Sequence, residues 1–152
     1  MSIARLIWTW FGFGLLPKAP GTWGSLAALP FAWFICSYGG YQILLLATAV
    51  IFAVGVWMSG IAAAESGAED PGEVVIDEVA GQWLTLVVVP PDFLLYAAGF
   101  VLFRVFDIWK PWPVSWVDRK LKGGLGIMAD DILAGVYAAV ILLALKTWLE
   151  TL

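Results

Sequence analysis

Long apolar stretches separated by short charged segments are the feature of this sequence that most limits its fold. The stretches 26–64, 79–106 and 132–149 contain almost no charged side chains. Hydrophobic residues make up 62% of the chain and charged residues 13%, and the mean hydropathy is +0.90. A soluble domain is roughly half apolar and a quarter charged. The composition therefore indicates one integral membrane domain, residues 1–152.

The apolar stretches predict an all-α, multi-pass helical bundle with about four to five membrane segments. Residues 1–16 predict an interfacial helix that remains part of the chain. Residues 26–64 predict a helical hairpin that turns at Gly39-Gly40, and residues 132–149 predict the last span. Pro17–Ser25 predicts a tight loop, with Ser25 capping the helix that follows.

The stretch 79–106 allows two topologies, because Pro90-Pro91-Asp92 interrupts it. One kinked span would place the polar segments 65–78 and 107–130 on opposite sides of the membrane. A hairpin turning at Pro90 would place them on the same side. Adjacent prolines disrupt a continuous helix and favour a turn, so we expect the hairpin. The polar loops then share one face, and the Lys and Arg residues of the last loop predict that this face is cytoplasmic.

Several function classes are excluded or disfavoured by what the chain lacks. It contains no histidine, so no mechanism can use a histidine nucleophile, base or metal ligand. Its single cysteine, Cys36, lies in an apolar run and cannot form an intrachain disulfide. No long basic run is present, which argues against nucleic acid as a partner. Acid–base chemistry must therefore use carboxylates, lysines or metal-activated water.

Two acidic pairs stand at the starts of apolar helices. Asp77-Glu78 precedes one helix and Asp130-Asp131 precedes another. Each pair alone could simply be a favourable charge at a helix N-terminus. Four carboxylates brought together, however, would repel one another unless a cation lay among them. Hard oxygen ligands suit Mg²⁺, so we expect these four residues to bind it.

Arg104, Asp107 and Lys110 have a spacing that places them on one helix face. They could form a simple ladder of ion pairs, but such pairs stabilise an exposed helix by only about 0.3–0.5 kcal/mol. A functional interpretation assigns Arg104 and Lys110 to phosphate oxygens. Asp107 is then a further metal ligand or a base.

The loop containing Lys18, Thr22 and Ser25 is rich in glycine and proline. Its backbone N–H groups could meet an anion at the start of the following helix. A plain helix-entry loop explains the same residues equally well. We expect Lys18, Thr22 and Ser25 to contact substrate, together with the two bases of the preceding motif.

Four blocks of sequence resemble a known family. They are KAPGTWGS at 18–25, DPGEVVIDEVAG at 70–81, FRVFDIWKPWP at 103–113 and GGLGIMADDILAG at 123–135. Their order and spacing are similar to those of bacterial phosphatidylglycerophosphatase A, a small multi-pass enzyme of the inner membrane. The resemblance covers about a third of the chain directly, and the blocks span nearly all of it.

This resemblance implies Mg²⁺-dependent hydrolysis of phosphatidylglycerophosphate to phosphatidylglycerol and phosphate. The reaction would belong to phospholipid biosynthesis and take place on the cytoplasmic face of the bacterial inner membrane, with a membrane phospholipid as the partner. Direct attack by water is our preferred mechanism, and an aspartyl-phosphate intermediate remains open. The residues expected to carry the reaction are Lys18, Asp77, Glu78, Arg104, Asp107, Lys110, Asp130 and Asp131.

Two other function classes compete with a phosphatase. A divalent-cation carrier or channel could use the same carboxylates, but it predicts acids near the middle of facing helices. A CDP-alcohol phosphotransferase is also a membrane Mg²⁺ enzyme, but its spaced aspartate signature is absent. The sequence leaves open the number of metal ions, the oligomeric state and the range of lipid substrates.

Overall fold

The computed structural model describes residues 1–152 and consists of helices and connecting loops, without a β-strand. This confirms the all-α prediction. A 3₁₀ turn, Phe13–Leu15, lies between the first two of six α-helices. The helices are α1 (Ile3–Trp8), α2 (Pro20–Ser66), α3 (Ile76–Leu86), α4 (Phe93–Trp109), α5 (Val114–Lys120) and α6 (Gly123–Leu149). Of these, α2 and α6 are long and apolar enough to cross a membrane.

Helix α2 consists of two limbs that meet at Gly40, where the backbone leaves the helical region (φ 76°, ψ 176°). The break lies where the sequence predicts the turn. Near the start of the first limb, a Cβ on Gly24 would lie 2.7 Å from the Val75 Cβ. Near the end of the second limb, a Cβ on Gly60 would lie 3.9 Å from the Gly124 nitrogen. Both of these contacts lie at the same end of the bundle, so the two limbs run in opposite directions.

The chain also reverses between α3 and α4. Asp92 caps α4 by accepting a hydrogen bond from the Leu95 N–H at 2.9 Å, which is the usual role of aspartate at this position. The first residue of α4, Phe93, packs against Trp33 in the first limb of α2, with the two ring centroids 4.8 Å apart. The last turns of α4 return to the start of α3. Each polar connection therefore leads into the same end of the bundle.

The N-terminal segment differs from the predicted interfacial helix over 1–16. It forms the six-residue α1 and a 3₁₀ turn, and it buries Trp8, the last residue of α1, and Trp10, which follows it. The Trp8 indole donates a hydrogen bond to Glu73 at 3.1 Å, and Trp10 packs edge-on against Trp83. Gly12, in the left-handed region, directly precedes the 3₁₀ turn. Aromatic side chains that could have lain at the interface therefore fill the core instead.

Helices α3 and α6 approach each other closely at two glycines. A Cβ on Gly135 would lie 2.6 Å from the Gly81 carbonyl oxygen. The Thr85 hydroxyl donates to the Gly81 carbonyl at 2.9 Å within the same contact. Small residues let helix backbones come together in this way. This contact sets the side-by-side position of α3 and α6, on which the site depends.

The Gly135→Ala variant should unfold at a lower temperature than wild type. Its added methyl group would meet backbone rather than a movable side chain, so the two helices must separate, at a cost of about 1–3 kcal/mol. Thermal unfolding in detergent, followed by circular dichroism, measures this. The matched control is Gly72→Ala, where a Cβ has nothing within 4 Å. Equal melting temperatures for the two variants would contradict the role given to this contact.

Candidate active site

A cluster of three carboxylates lies where the start of α3 meets α6. Asp77 and Glu78 occupy the first turn of α3, and Asp131 projects from α6. One oxygen of each lies within 4.8 Å of the other two. Asp77 and Asp131 are only 8% and 3% exposed, so the cluster is largely shielded from solvent. We call these three residues the carboxylate cluster.

Each member of the carboxylate cluster has an oxygen that no protein group satisfies. Asp77 Oδ1, Glu78 Oε2 and Asp131 Oδ2 are buried and accept no hydrogen bond. Burying a carboxylate is costly unless a donor or cation compensates it. Oxygen ligands at this spacing match the preference of hard divalent cations. The carboxylate cluster could therefore hold a metal ion.

Arg104 of α4 lies beside the cluster. Its Nη1 is 3.8 Å from Glu78 Oε1 and 3.5 Å from the Ser25 hydroxyl, and it also pairs with Asp107 one turn later in α4. The Arg104 Nε is buried and makes no hydrogen bond. The guanidinium group is thus fixed at the edge of the cluster and keeps a donor unused.

The first turns of α2 form a wall of the site. A Cβ on Gly21 would overlap Glu78 Oε1 and lie 3.3 Å from Arg104 Nη1, so only glycine permits this approach. The predicted loop over Pro17–Ser25 is shorter than expected, because α2 already begins at Pro20. Proline is favourable at the first position of a helix. Ser25 therefore lies inside the helix and donates to the Gly21 carbonyl at 2.9 Å instead of capping it.

Lys110 ends α4 and connects two further acids. Its ammonium group donates to Asp130 at 2.6 Å and to Asp118 at 2.8 Å. Burial works to lower the pKa of Lys110, but the hydrogen bonds to these two carboxylates outweigh burial and raise it above its ordinary value. Lys110 therefore remains a cation at neutral pH. Asp130, predicted as a metal ligand, is engaged with Lys110 and lies outside the group of three.

The structure does not bring every predicted residue to the cluster. Lys18 is exposed and makes neither an ion pair nor a side-chain hydrogen bond. Thr22 is half-buried and lines a groove next to Arg104. Asp107 is only 8% exposed, pairs with Arg104 and lies beside Asp131.

Three residues of this region were not among the predicted site residues. Gly21 makes room for Glu78, and Asp118 accepts a hydrogen bond from Lys110. Gln82 is fully buried one turn after Glu78, and neither of its amide atoms has a partner. A glutamine at i+4 from a candidate ligand in an apolar helix is a signal that sequence analysis could have used.

Together, the fold and the site define a membrane-type helical protein with a buried, metal-compatible acidic site at one end of its bundle. The family model described as Phosphatidylglycerophosphatase A matches residues 6–146. The chain therefore belongs to the phosphatidylglycerophosphatase A family, and it is a phosphatase.

Similar curated proteins agree with this assignment. The phosphatidylglycerophosphatase A of Escherichia coli is 47% identical over 87% of this chain and 77% of its own length. That of Haemophilus influenzae is 41% identical over 91% of this chain and 86% of its own. A candidate phosphatidylinositol-3-phosphatase of Bacteroides thetaiotaomicron is 41% identical over 94% and 92%, respectively. No solved structure matches the chain.

Proposed function

We propose that this protein hydrolyses phosphatidylglycerophosphate to phosphatidylglycerol and phosphate, as a step of phospholipid biosynthesis. The observation that carries the proposal is the carboxylate cluster beside Arg104, with three buried oxygens that no protein group satisfies. Family membership and the names of two of the similar proteins support this substrate.

Mg²⁺ is the cofactor that we propose for this site. Asp77, Glu78 and Asp131 would hold it, because all three offer oxygen ligands and Mg²⁺ also binds substrate phosphate. When bound, such an ion neutralises charge on the phosphate and makes water a better nucleophile. Asp130 could join this set through Oδ1, which is buried and accepts no hydrogen bond, while its Oδ2 accepts from Lys110.

The bases of the site would act on the phosphoryl oxygens. Charge on these oxygens must be stabilised as the phosphoryl group is transferred. Arg104 is already fixed by Glu78 and Asp107, so its donors need little reorganisation. Lys110, fixed by Asp118 and Asp130, supplies a second positive charge. Thr22 and Ser25 could add hydrogen bonds, and Lys18 would have to move inward to take part.

Asp107 is our candidate for the base in a direct attack by water. One of its oxygens holds Arg104, which leaves the other available to accept a proton or orient water. The competing carrier or channel would need carboxylates near the middle of facing helices. Asp77 and Glu78 lie instead in the first turn of α3, beside an arginine, which suits an anionic substrate.

We propose that residues 1–152 form one domain that spans the bacterial inner membrane with about four to five membrane segments. The two limbs of α2, the α3–α4 hairpin and α6 would supply them. Helix α3 has 11 residues, or about 16 Å at 1.5 Å per residue, and would enter the membrane only partway. Lys110, Arg119, Lys120 and Lys122 at the site end favour a cytoplasmic orientation of this end.

Phosphate release by the purified protein in detergent tests the proposed function. We expect release from phosphatidylglycerophosphate with Mg²⁺, loss of release with EDTA, and recovery when Mg²⁺ is added back. Phosphatidylinositol 3-phosphate is the comparison substrate, because one similar protein is named for it. If a folded sample releases no phosphate from phosphatidylglycerophosphate, the proposed substrate is wrong. If phosphate release continues in EDTA, the proposed dependence on Mg²⁺ is wrong.

A further inference from the structure

An apolar groove runs along the outside of the bundle between the first limb of α2 and α4. Its half nearest the site has a volume of about 450 Å³ and includes Thr22, Val101 and Arg104 in its lining. Its other half, of about 730 Å³, includes Trp33 and Ala97. The two halves share no lining residue, but each has residues of α2 and α4 in its lining, with Thr22 as the only contribution of α2 to the half nearest the site.

The residues that α4 contributes recur every turn along one face. Phe93, Ala97, Val101 and Arg104 are spaced by three or four residues, which places them in a row. From Phe93 to Arg104 this row is about 16 Å long at 1.5 Å per residue. Side chains of the two helices meet at the ends of the row, through Trp33 and Phe93 at one end and Arg104 and Ser25 at the other. An elongated apolar ligand would fit between these contacts.

The only charged residue in the lining of the groove lies at the end nearest the site. Arg104 lines the groove and also lies 3.8 Å from Glu78 of the carboxylate cluster. Arg104 therefore belongs both to the lining of the groove and to the edge of the cluster. A neighbouring groove between α4 and α6 is lined only by apolar side chains, Ile141 among them, and reaches no charged group.

We propose that the groove between α2 and α4 holds one acyl chain of the phospholipid substrate, so that the phosphate end lies at Arg104. This inference rests on the proposed function. The surrounding lipid is as apolar as the groove. Transfer of an acyl chain from lipid into the groove would therefore contribute little to affinity. The groove would instead fix the position of the head group relative to the cluster, and positioning strongly affects rate.

Filling the groove tests this inference. Ala97 is exposed on α4, about 10 Å along the helix from Arg104 at 1.5 Å per residue. We expect Ala97→Trp to lower kcat/KM for dioleoyl phosphatidylglycerophosphate about tenfold, because the chain can no longer lie along α4. The dihexanoyl substrate, whose chains end before this position, should be hydrolysed at the wild-type rate.

Ile141→Trp is the matched control. Ala97 borders both grooves, whereas Ile141 borders only the one between α4 and α6. This variant should hydrolyse both substrates like wild type. If Ala97→Trp leaves the dioleoyl substrate unaffected, or lowers both substrates equally, the groove inference is wrong. If the wild-type protein hydrolyses neither substrate, the proposed function is refuted, and this result differs from a failure of the groove inference alone.

Photolabelling gives a readout that does not depend on turnover. A phosphatidylglycerol analogue with a diazirine in one acyl chain is irradiated with the protein in lipid nanodiscs, and the adducts are mapped by mass spectrometry. We expect adducts concentrated on the first limb of α2 and on α4, and a severalfold reduction there in Ala97→Trp. Adducts spread equally over the Ile141 face would overturn the inference.

Discussion

The Asp77→Asn enzyme should release phosphate from phosphatidylglycerophosphate about a thousandfold more slowly than wild type, since metal-assisted charge stabilisation contributes several kcal/mol. Asparagine keeps the shape of the side chain but removes the charge. The cluster then has only two carboxylates with which to bind a cation. A less tightly bound cation neutralises less of the charge on the phosphate. The Asp131→Asn enzyme should behave in the same way, because both residues belong to the group of three.

The same substitution should not unfold the protein. Three buried carboxylates repel one another when no cation is present, so removing one charge relieves that repulsion. In EDTA we expect Asp77→Asn to melt at the wild-type temperature or above it. Added Mg²⁺ should raise the melting temperature of wild type, because a ligand that binds only the folded state stabilises it. It should raise that of the variant much less.

Asp92→Asn is the control for this prediction. It makes the same chemical change at the opposite end of the bundle, where asparagine can still cap α4. Its activity and its response to Mg²⁺ should match wild type. Wild-type turnover by a correctly inserted Asp77→Asn enzyme would show that the carboxylate cluster is not the reaction centre.

Arg104→Lys should lower kcat about a hundredfold, as loss of a preorganised donor does in other active sites. Lysine keeps the positive charge, but it cannot contact Ser25, Glu78 and Asp107 together in the planar geometry of a guanidinium group. The loss should appear in kcat more than in KM, because the donors are needed most as charge shifts between phosphoryl oxygens.

Arg119→Lys provides the comparison for Arg104→Lys. Arg119 is exposed on α5, so the same exchange there should leave kcat unchanged. Steady-state phosphate release over a range of substrate concentrations separates the two parameters. An Arg104→Lys enzyme with only a raised KM would mean that Arg104 binds the ground state and does not assist the reaction.

The sequence predicts the helical class and the reversal at Gly40, because apolar length and adjacent glycines are local signals. It cannot decide which residue of Asp130-Asp131 faces α3. Neighbouring helix residues project about 100° apart, so a single α6 surface cannot present both. The Gly81–Gly135 contact settles this by packing α3 against α6, and it turns Asp131 to the cluster and Asp130 to Lys110.

Other features of the site depend on contacts between distant segments. Trp8 and Trp10 suit a membrane interface as well as a core, and only their contacts with Glu73 and Trp83 distinguish the two. Gly21 looks like an ordinary helix-start glycine until Glu78 is placed against it. Pairings of this kind carry no local sequence pattern.

Because of the directions of the helices, nearly all charged side chains lie at the end of the bundle that holds the carboxylate cluster. Asp92, Lys146 and Glu150 are the charged residues at the end far from the cluster, and the last two pair with each other. Turning the molecule over in a bilayer would carry all the other charged side chains through hydrocarbon, which is prohibitively costly. In the proposed membrane arrangement, a phospholipid would therefore meet the carboxylate cluster from one leaflet only. Any substrate made in the opposite leaflet would have to flip across before this protein could act on it.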